Sequence, residues 1–168
     1  DVDVVTGGID QRGIYMLGRE LLPKMKGRTL ISVFTPLLPG IKGVKMSASH
    51  SDSKLDILDS PEVLKKKTLK AYCPEGDLKN NGIMEWMKNV VFPLKQDKGE
   101  KFVVRRPEKF GGNKEYETYE ELEKDFVSKK LHPADLKNAA AEDVIKLLEP
   151  VRKRFEKKED LVKKAYPQ

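Results

Sequence analysis

Val4-Val5-Thr6-Gly7-Gly8-Ile9-Asp10-Gln11-Arg12 opens the chain with a β-prone run that stops at two glycines and turns into a helical pattern. Ile9, Tyr15, Met16, Leu17, Leu21 and Leu22 recur at spacings that give one apolar helix face, and Pro23 and Gly27 end it. Thr29 to Phe34 is again apolar and β-branched. Strand, glycine turn, helix and strand in that order predict a parallel βαβ unit. Such sheets bind ligands at the carboxyl ends of their strands, here near Gly7-Gly8 and from Thr35 onward.

Downstream, Pro36 to Asp59 reads as a long irregular segment rich in glycine and serine. Ser60-Pro61-Glu62 then starts a helix, with serine as the cap and proline at the first position. Further helices are expected over Ile83–Leu94, over Glu120–Ser128 and from Pro133 toward Leu148. A short β excursion is expected around Phe110-Gly111-Gly112. Glu149-Pro150 predicts a break or kink before a last helix.

Composition sets bounds on the chemistry. The chain has 168 residues, of which 38% are hydrophobic and 36% charged, and a net charge of +6. This is enough chain for one domain or two small ones with a true core. The charge suits a polyanion partner without requiring one. Cys73 is the only cysteine and there are two histidines, so neither an internal disulfide nor a zinc site is expected. The cell interior is the expected compartment. No apolar run is long enough to span a bilayer, and no signal peptide is evident. Asp1 stands within an apolar alternation, which reads as a segment beginning in mid-strand.

Lys45-Met46-Ser47-Ala48-Ser49 is the string most suited to chemistry. An ammonium beside small hydroxyls and free backbone N–H groups can neutralise charge building on a leaving pyrophosphate. Gly40 and Gly43 are expected to let this loop move. On the residues alone, a polar surface loop is equally compatible. Gly7-Gly8-Ile9-Asp10-Gln11 admits a close backbone approach to a ligand, or simply a helix start with Asp10 complementing the dipole.

Together these strings resemble class I aminoacyl-tRNA synthetases, with Lys45 to Ser49 as a variant of the KMSKS signature. Four further segments resemble the archaeal and eukaryotic tyrosine enzymes: Lys70-Ala71-Tyr72-Cys73-Pro74, Arg105-Arg106-Pro107-Glu108-Lys109-Phe110-Gly111-Gly112, Leu131-His132-Pro133-Ala134-Asp135-Leu136-Lys137-Asn138 and Leu147-Leu148-Glu149-Pro150-Val151-Arg152. The resemblance implies the C-terminal part of a Rossmann-like catalytic domain (residues 1–59) followed by a mainly helical anticodon-binding domain (60–168). It implies ATP, entering as its Mg2+ complex, with Gly8, Asp10, Lys45, Met46, Ser47 and Ser49 binding it and Lys45 catalytic. Gln11 would meet the tyrosine α-amino group and Arg12 the first base pair of the tRNA acceptor stem.

The same resemblance implies that Phe110, His132, Pro133 and Asp135 face the anticodon. Asp135 would accept from the Watson–Crick edge of a guanine, and Phe110 and His132 would stack on it. From the residues alone, Asp135 serves equally as a helix-start carboxylate and Phe110 as a core aromatic. The expected partners are tyrosine, ATP and tyrosine tRNA, with no DNA and no membrane, and a homodimer or a companion N-terminal half.

Departures accompany the match. The upstream His-x-Gly-His signature does not occur in these 168 residues, whose histidines are His50 and His132. Ala48 leaves Lys45 as the one lysine of the signature, and Gly13 stands where archaeal relatives often carry lysine. Two alternatives stay open: a tryptophan enzyme, and a non-catalytic tRNA-binding half.

Overall fold

The computed structural model describes residues 2–43, 55–156 and 158–165. The signature string Lys45 to Ser49, and His50, lie outside the described residues. The chain divides into two compact units, Asp1–Leu38 and Pro39–Gln168.

The first unit is the expected βαβ. β1 (Val4–Gly8) leads through a 3-10 turn (Ile9–Gln11) into α1 (Arg12–Leu21), and a second turn (Pro23–Met25) returns the chain to β2 (Ile31–Thr35). The strands pair in parallel, Val4 opposite Ile31 through Gly8 opposite Thr35. α1 is locked to the sheet from one side by Tyr15. Its hydroxyl donates to the Thr6 carbonyl at 3.1 Å, and its ring meets Phe34 edge-on at 5.5 Å between centroids.

The second unit holds the core. Its elements are α2 (Pro61–Leu69), α3 (Gly82–Trp86), α4 (Phe92–Asp97), β3 (Phe102–Val104), β4 (Lys114–Tyr116), α5 (Tyr119–Val127), α6 (Pro133–Phe155) and α7 (Glu159–Ala165). Ser60 caps α2 as expected, accepting from the Val63 N–H at 3.3 Å. β3 and β4 form an antiparallel ribbon, Phe102 opposite Tyr116. Phe92, Phe102, Leu122, Phe126, Leu131 and Leu136 are fully enclosed. Met84 and Met87 join them, and Trp86 packs partly buried at the edge, as its apolar surroundings predict.

The second compact unit begins at Pro39, and backbone packing holds its first residues to the helices that follow. Gly40 and Ile41 are buried, and the Tyr72 N–H donates to the Ile41 carbonyl at 2.8 Å. Gly82 lies so close to this stem that a Cβ there would stand 2.6 Å from the Gly40 carbonyl. Gly43 has φ +76°, and a Cβ on it would meet the Asn80 carbonyl at 2.6 Å. Gly43 and Gly82 thus serve a close backbone approach.

Two prolines lie within the helical stretches of this unit. The predicted break at Pro150 does not occur, because α6 continues through it to Phe155. An interior proline removes one N–H and crowds the preceding turn, a cost of about 3 kcal/mol. Around it, the Arg152 guanidinium donates to the Ile145 carbonyl at 3.1 Å, and Lys153 pairs with Glu149 at 2.7 Å across the proline. Upstream, Pro93 lies at the start of α4, and the turn before it, Met87–Val91, widens to a π turn. The Phe92 N–H reaches back to the Met87 carbonyl, while the Asn89 side chain donates to the Glu85 carbonyl at 3.0 Å.

Candidate functional site

Two sites follow from the sequence, one in each unit. In the first, Gly7, Gly8, Asp10, Gln11 and Arg12 cluster at the carboxyl end of the parallel strands. The Thr35 hydroxyl at the end of β2 donates to the Gly7 carbonyl at 3.4 Å, tying the two strand ends together. Both glycines lie close under the side chains that follow them. A Cβ on Gly7 would stand 3.0 Å from the Gln11 amide oxygen and the Tyr15 hydroxyl, and one on Gly8 would stand 2.4 Å from Asp10 Oδ1. Asp10, Gln11 and Arg12 are exposed, and among the described residues none of their side chains forms a hydrogen bond or ion pair. A carboxylate, an amide and a guanidinium therefore stand without a partner among the described residues, at the edge where such sheets take ligands. The third member of the expected site, Lys45 with Met46, Ser47 and Ser49, lies outside the described residues.

In the second unit, the turn between β3 and β4 presents Phe110 on a 3-10 turn (Glu108–Phe110). Phe110 is 59% exposed, so it is not a core aromatic. Gly111 and Gly112 follow with φ +94° and +67°, a left-handed pair that only glycine adopts without strain. Lys109 Nζ stands 5.0 Å from the Phe110 ring centroid.

The start of α6 forms the other part. His132 is the cap, its Nδ1 accepting from the Ala134 N–H at 3.1 Å, which leaves the proton on Nε2. Pro133 is buried at the first helical position, and Asp135 sits half-exposed in the first turn. No other described residue bonds or pairs with the Asp135 carboxylate.

One guanidinium joins these two parts. Arg106 Nε donates to the Gly112 carbonyl at 2.8 Å, and its Nη1 donates to the Lys130 carbonyl at 3.1 Å. The Arg106 N–H is itself held by the Asn113 side chain at 3.1 Å. The structure thus brings the Phe110 turn next to the segment leading into His132, Pro133 and Asp135. The sequence quoted Arg106 as part of a matching string but offered no role for it, since the two carbonyls it holds lie 6 and 24 residues away.

Behind this turn, Asp125 accepts from Lys114 and, at 3.2 Å, from the Tyr116 hydroxyl. Burial opposes ionisation of Asp125, but the Lys114 ammonium and the Tyr116 hydroxyl outweigh it and hold the carboxyl below its ordinary range. Tyr116 is pushed up by burial and by the facing Asp125 charge. Burial also raises the Cys73 thiol, against the Asn81 amide that donates to its sulfur at 3.5 Å, so this cysteine is a poor nucleophile. Among the described residues, no group of three or more His, Cys, Asp and Glu side chains is placed to hold a metal. None of their helices is long and apolar enough to cross a membrane.

Comparison with known proteins places these sites in a family. The family model "tRNA synthetases class I (W and Y)" matches residues 1–149. A tyrosine–tRNA ligase of Haloarcula marismortui is 49% identical over 168 residues, covering 100% of this chain and 49% of that protein. The cytoplasmic tyrosine–tRNA ligase of Gallus gallus is 45% identical, covering 99% of this chain and 31% of that protein. The crystal structure of tyrosyl-tRNA synthetase with L-tyrosine from Archaeoglobus fulgidus matches with a TM-score of 0.83 at 44% identity, over 91% of this chain and 46% of that one. The chain spans half or less of the length of these relatives. With an α/β unit of the right topology and a family match across most of its length, the chain belongs to the class I tRNA synthetases of the tryptophan and tyrosine group, on the side of the tyrosine–tRNA ligases.

Proposed function

We propose that this chain supplies one part of the active site and the anticodon reader of a tyrosine–tRNA ligase. The observation that carries this reading is 49% identity to such a ligase along the whole chain, glycine turn and α6 start included. The parent reaction has two steps. ATP and tyrosine give tyrosyl-adenylate and pyrophosphate, and the tyrosyl group then passes to the terminal ribose of the tRNA. Gly8 and Asp10 would receive the ATP ribose, and Gln11 the α-amino group of tyrosine. Lys45, helped by Met46, Ser47 and Ser49, would neutralise charge on the departing pyrophosphate. ATP brings its own Mg2+.

Arg12 would take the acceptor stem, where a planar fork suits bidentate contact with guanine or phosphate. The free Asp135 carboxylate would accept N1–H and N2–H₂ of a guanine at the first anticodon position. The exposed Phe110 ring and His132 would stack on that base. Residues 60–168 act as the anticodon domain in this reading, and residues 1–59 as the catalytic portion. The His-x-Gly-His half, joined to this part or carried on a companion chain, would complete the enzyme in the cytoplasm, and the full enzyme would act as a homodimer.

Tyrosine-dependent ATP–pyrophosphate exchange, with tryptophan as control, tests the proposal. Exchange with tyrosine alone supports it, and exchange with tryptophan alone moves the chain to the other branch. Silence with both amino acids, under conditions where the chain still binds tyrosine tRNA, favours a non-catalytic tRNA-binding half. Where exchange occurs, Lys45→Ala is expected to lower it by roughly 100-fold or more with tRNA affinity intact. Asp135→Ala is expected to spare exchange and to weaken guanine recognition by about 1–3 kcal/mol. An equal loss of exchange in Asp135→Ala would make that residue structural.

A further inference from the structure

Among the described residues, Arg106 is the side chain that bonds backbone in both parts of the candidate anticodon site. Its Nε holds the Gly112 carbonyl at 2.8 Å and its Nη1 holds the Lys130 carbonyl at 3.1 Å. The first carbonyl lies two residues past Phe110, and the second two residues before His132. Other side chains also bind the ribbon to the helices, Arg105 donating to Glu142 of α6 at 2.5 Å and Lys114 to Asp125 of α5, but neither bonds the Gly112 or Lys130 carbonyl. The turn closes on itself through the N–H groups of Phe110 and Gly112, both donating to the Pro107 carbonyl at 2.9 and 3.3 Å. The Lys130 segment closes on α5, with the N–H groups of Lys130 and Leu131 donating to the Asp125 carbonyl at 2.9 and 3.1 Å.

We infer that Arg106 is a positioning residue for anticodon recognition, setting the distance between the Phe110 ring and the Asp135 carboxylate without itself touching RNA. This inference rests on the anticodon reading above. A stacking ring and a carboxylate select guanine only when both meet the same base, so their separation matters as much as their identity. A guanidinium suits the task because its N–H groups diverge in a fixed plane, and two of them reach separate carbonyls at once. Gly111 lets it approach: a Cβ there would stand 3.3 Å from Arg106 Nη2. Lysine keeps the charge but has no planar fork, and glutamine keeps one hydrogen-bonding group without charge. The two substitutions therefore separate geometry from electrostatics.

The test uses the full chain and RNA hairpins bearing the tyrosine anticodon, with guanine or adenine at its first position. Binding is measured across a salt series for the parent, R106K and R106Q. Hydrogen exchange follows the amides of Phe110, Gly111, Gly112 and Leu131. The positioning role predicts that both variants lose about tenfold of the guanine preference, keep the salt dependence of the parent, and exchange these amides faster. Retained preference in R106K with loss in R106Q would overturn it in favour of a charge effect. Uniform weakening for both hairpins, with a salt slope shallower by about one, would overturn it in favour of a phosphate contact. Unchanged amide exchange in both variants would overturn the clamp itself. No guanine preference in the parent would overturn the anticodon reading, while the exchange data would still report separately whether Arg106 holds the two segments.

Discussion

The two units of this chain solve the same folding problem with unequal means. In Pro39–Gln168 a ribbon and several helices enclose three phenylalanines, Phe92, Phe102 and Phe126, from all sides. In Asp1–Leu38 no described residue is buried, and Val4, Ile31, Val33, Ile14 and Leu17 are 48–74% exposed. A parallel strand pair needs cover on both faces, and this unit carries one helix. The sequence given spans half or less of its relatives, so the contrast concerns these residues alone: hydrogen bonds and one aromatic contact order the unit bearing the glycine turn, and a core orders the unit bearing the Phe110 turn.

The sharpest way to break this comparison is to remove one ring from each unit. Phe126→Ala is expected to cost about 3–5 kcal/mol in urea unfolding. Phe34→Ala, which loses one edge contact with Tyr15, is expected to cost about 1 kcal/mol or less. Equal costs would mean that the first unit is as well packed as the second.

A glycine pair gives a smaller effect, but with opposite signs. Gly82→Ala forces a Cβ against the Gly40 carbonyl and is expected to destabilise by about 1–3 kcal/mol. Gly18→Ala, in α1 with nothing within 4 Å of the new Cβ, is expected to stabilise by about 0.5–1 kcal/mol. Thermal unfolding of both variants checks the signs. A destabilising Gly18→Ala would reveal a neighbour that the open surface of α1 does not show.

The smallest effect is a pH dependence confined to the second unit. The Asp125 carboxyl is depressed in the folded state, so folding releases its proton more readily than the unfolded chain does. The stability it contributes is full above the ordinary carboxylate value of 3.8 and is lost as pH falls through the lower folded value. Asp125→Asn is expected to flatten the acid limb of the stability curve in that window. An unchanged limb would show that the Lys114 contact contributes nothing measurable.

What the sequence made legible was local. β-branched runs and the Gly7-Gly8 stop sufficed for the parallel strand pair, and Ser60-Pro61 sufficed for the start of α2. His132-Pro133 marked the start of α6 for the same reason. Pro150 predicted a break or kink, yet α6 runs on through it to Phe155, because one missing N–H removes a single bond from a 23-residue helix. Gly40 and Gly43 read as letting the following loop move, and the close approach of Gly43 to the Asn80 carbonyl is a further constraint that spacing along the chain does not encode. The exposure of Phe110 and the reach of Arg106 depend on how separate segments meet, which spacing along the chain does not encode.

The wide turn at Met87–Val91 also sets a limit on chain length. A π turn carries one residue more than the helix around it needs, so it acts as a built-in insertion. Deleting one residue there would restore regular bonding, yet it would rotate everything downstream by about 100°. Phe92, whose ring lies 5.7 Å from Phe102 and 6.0 Å from Tyr119, would swing away from both. The irregular residue is thus a phase adjuster, and this stretch of the chain tolerates exchange of side chains better than any change in their number.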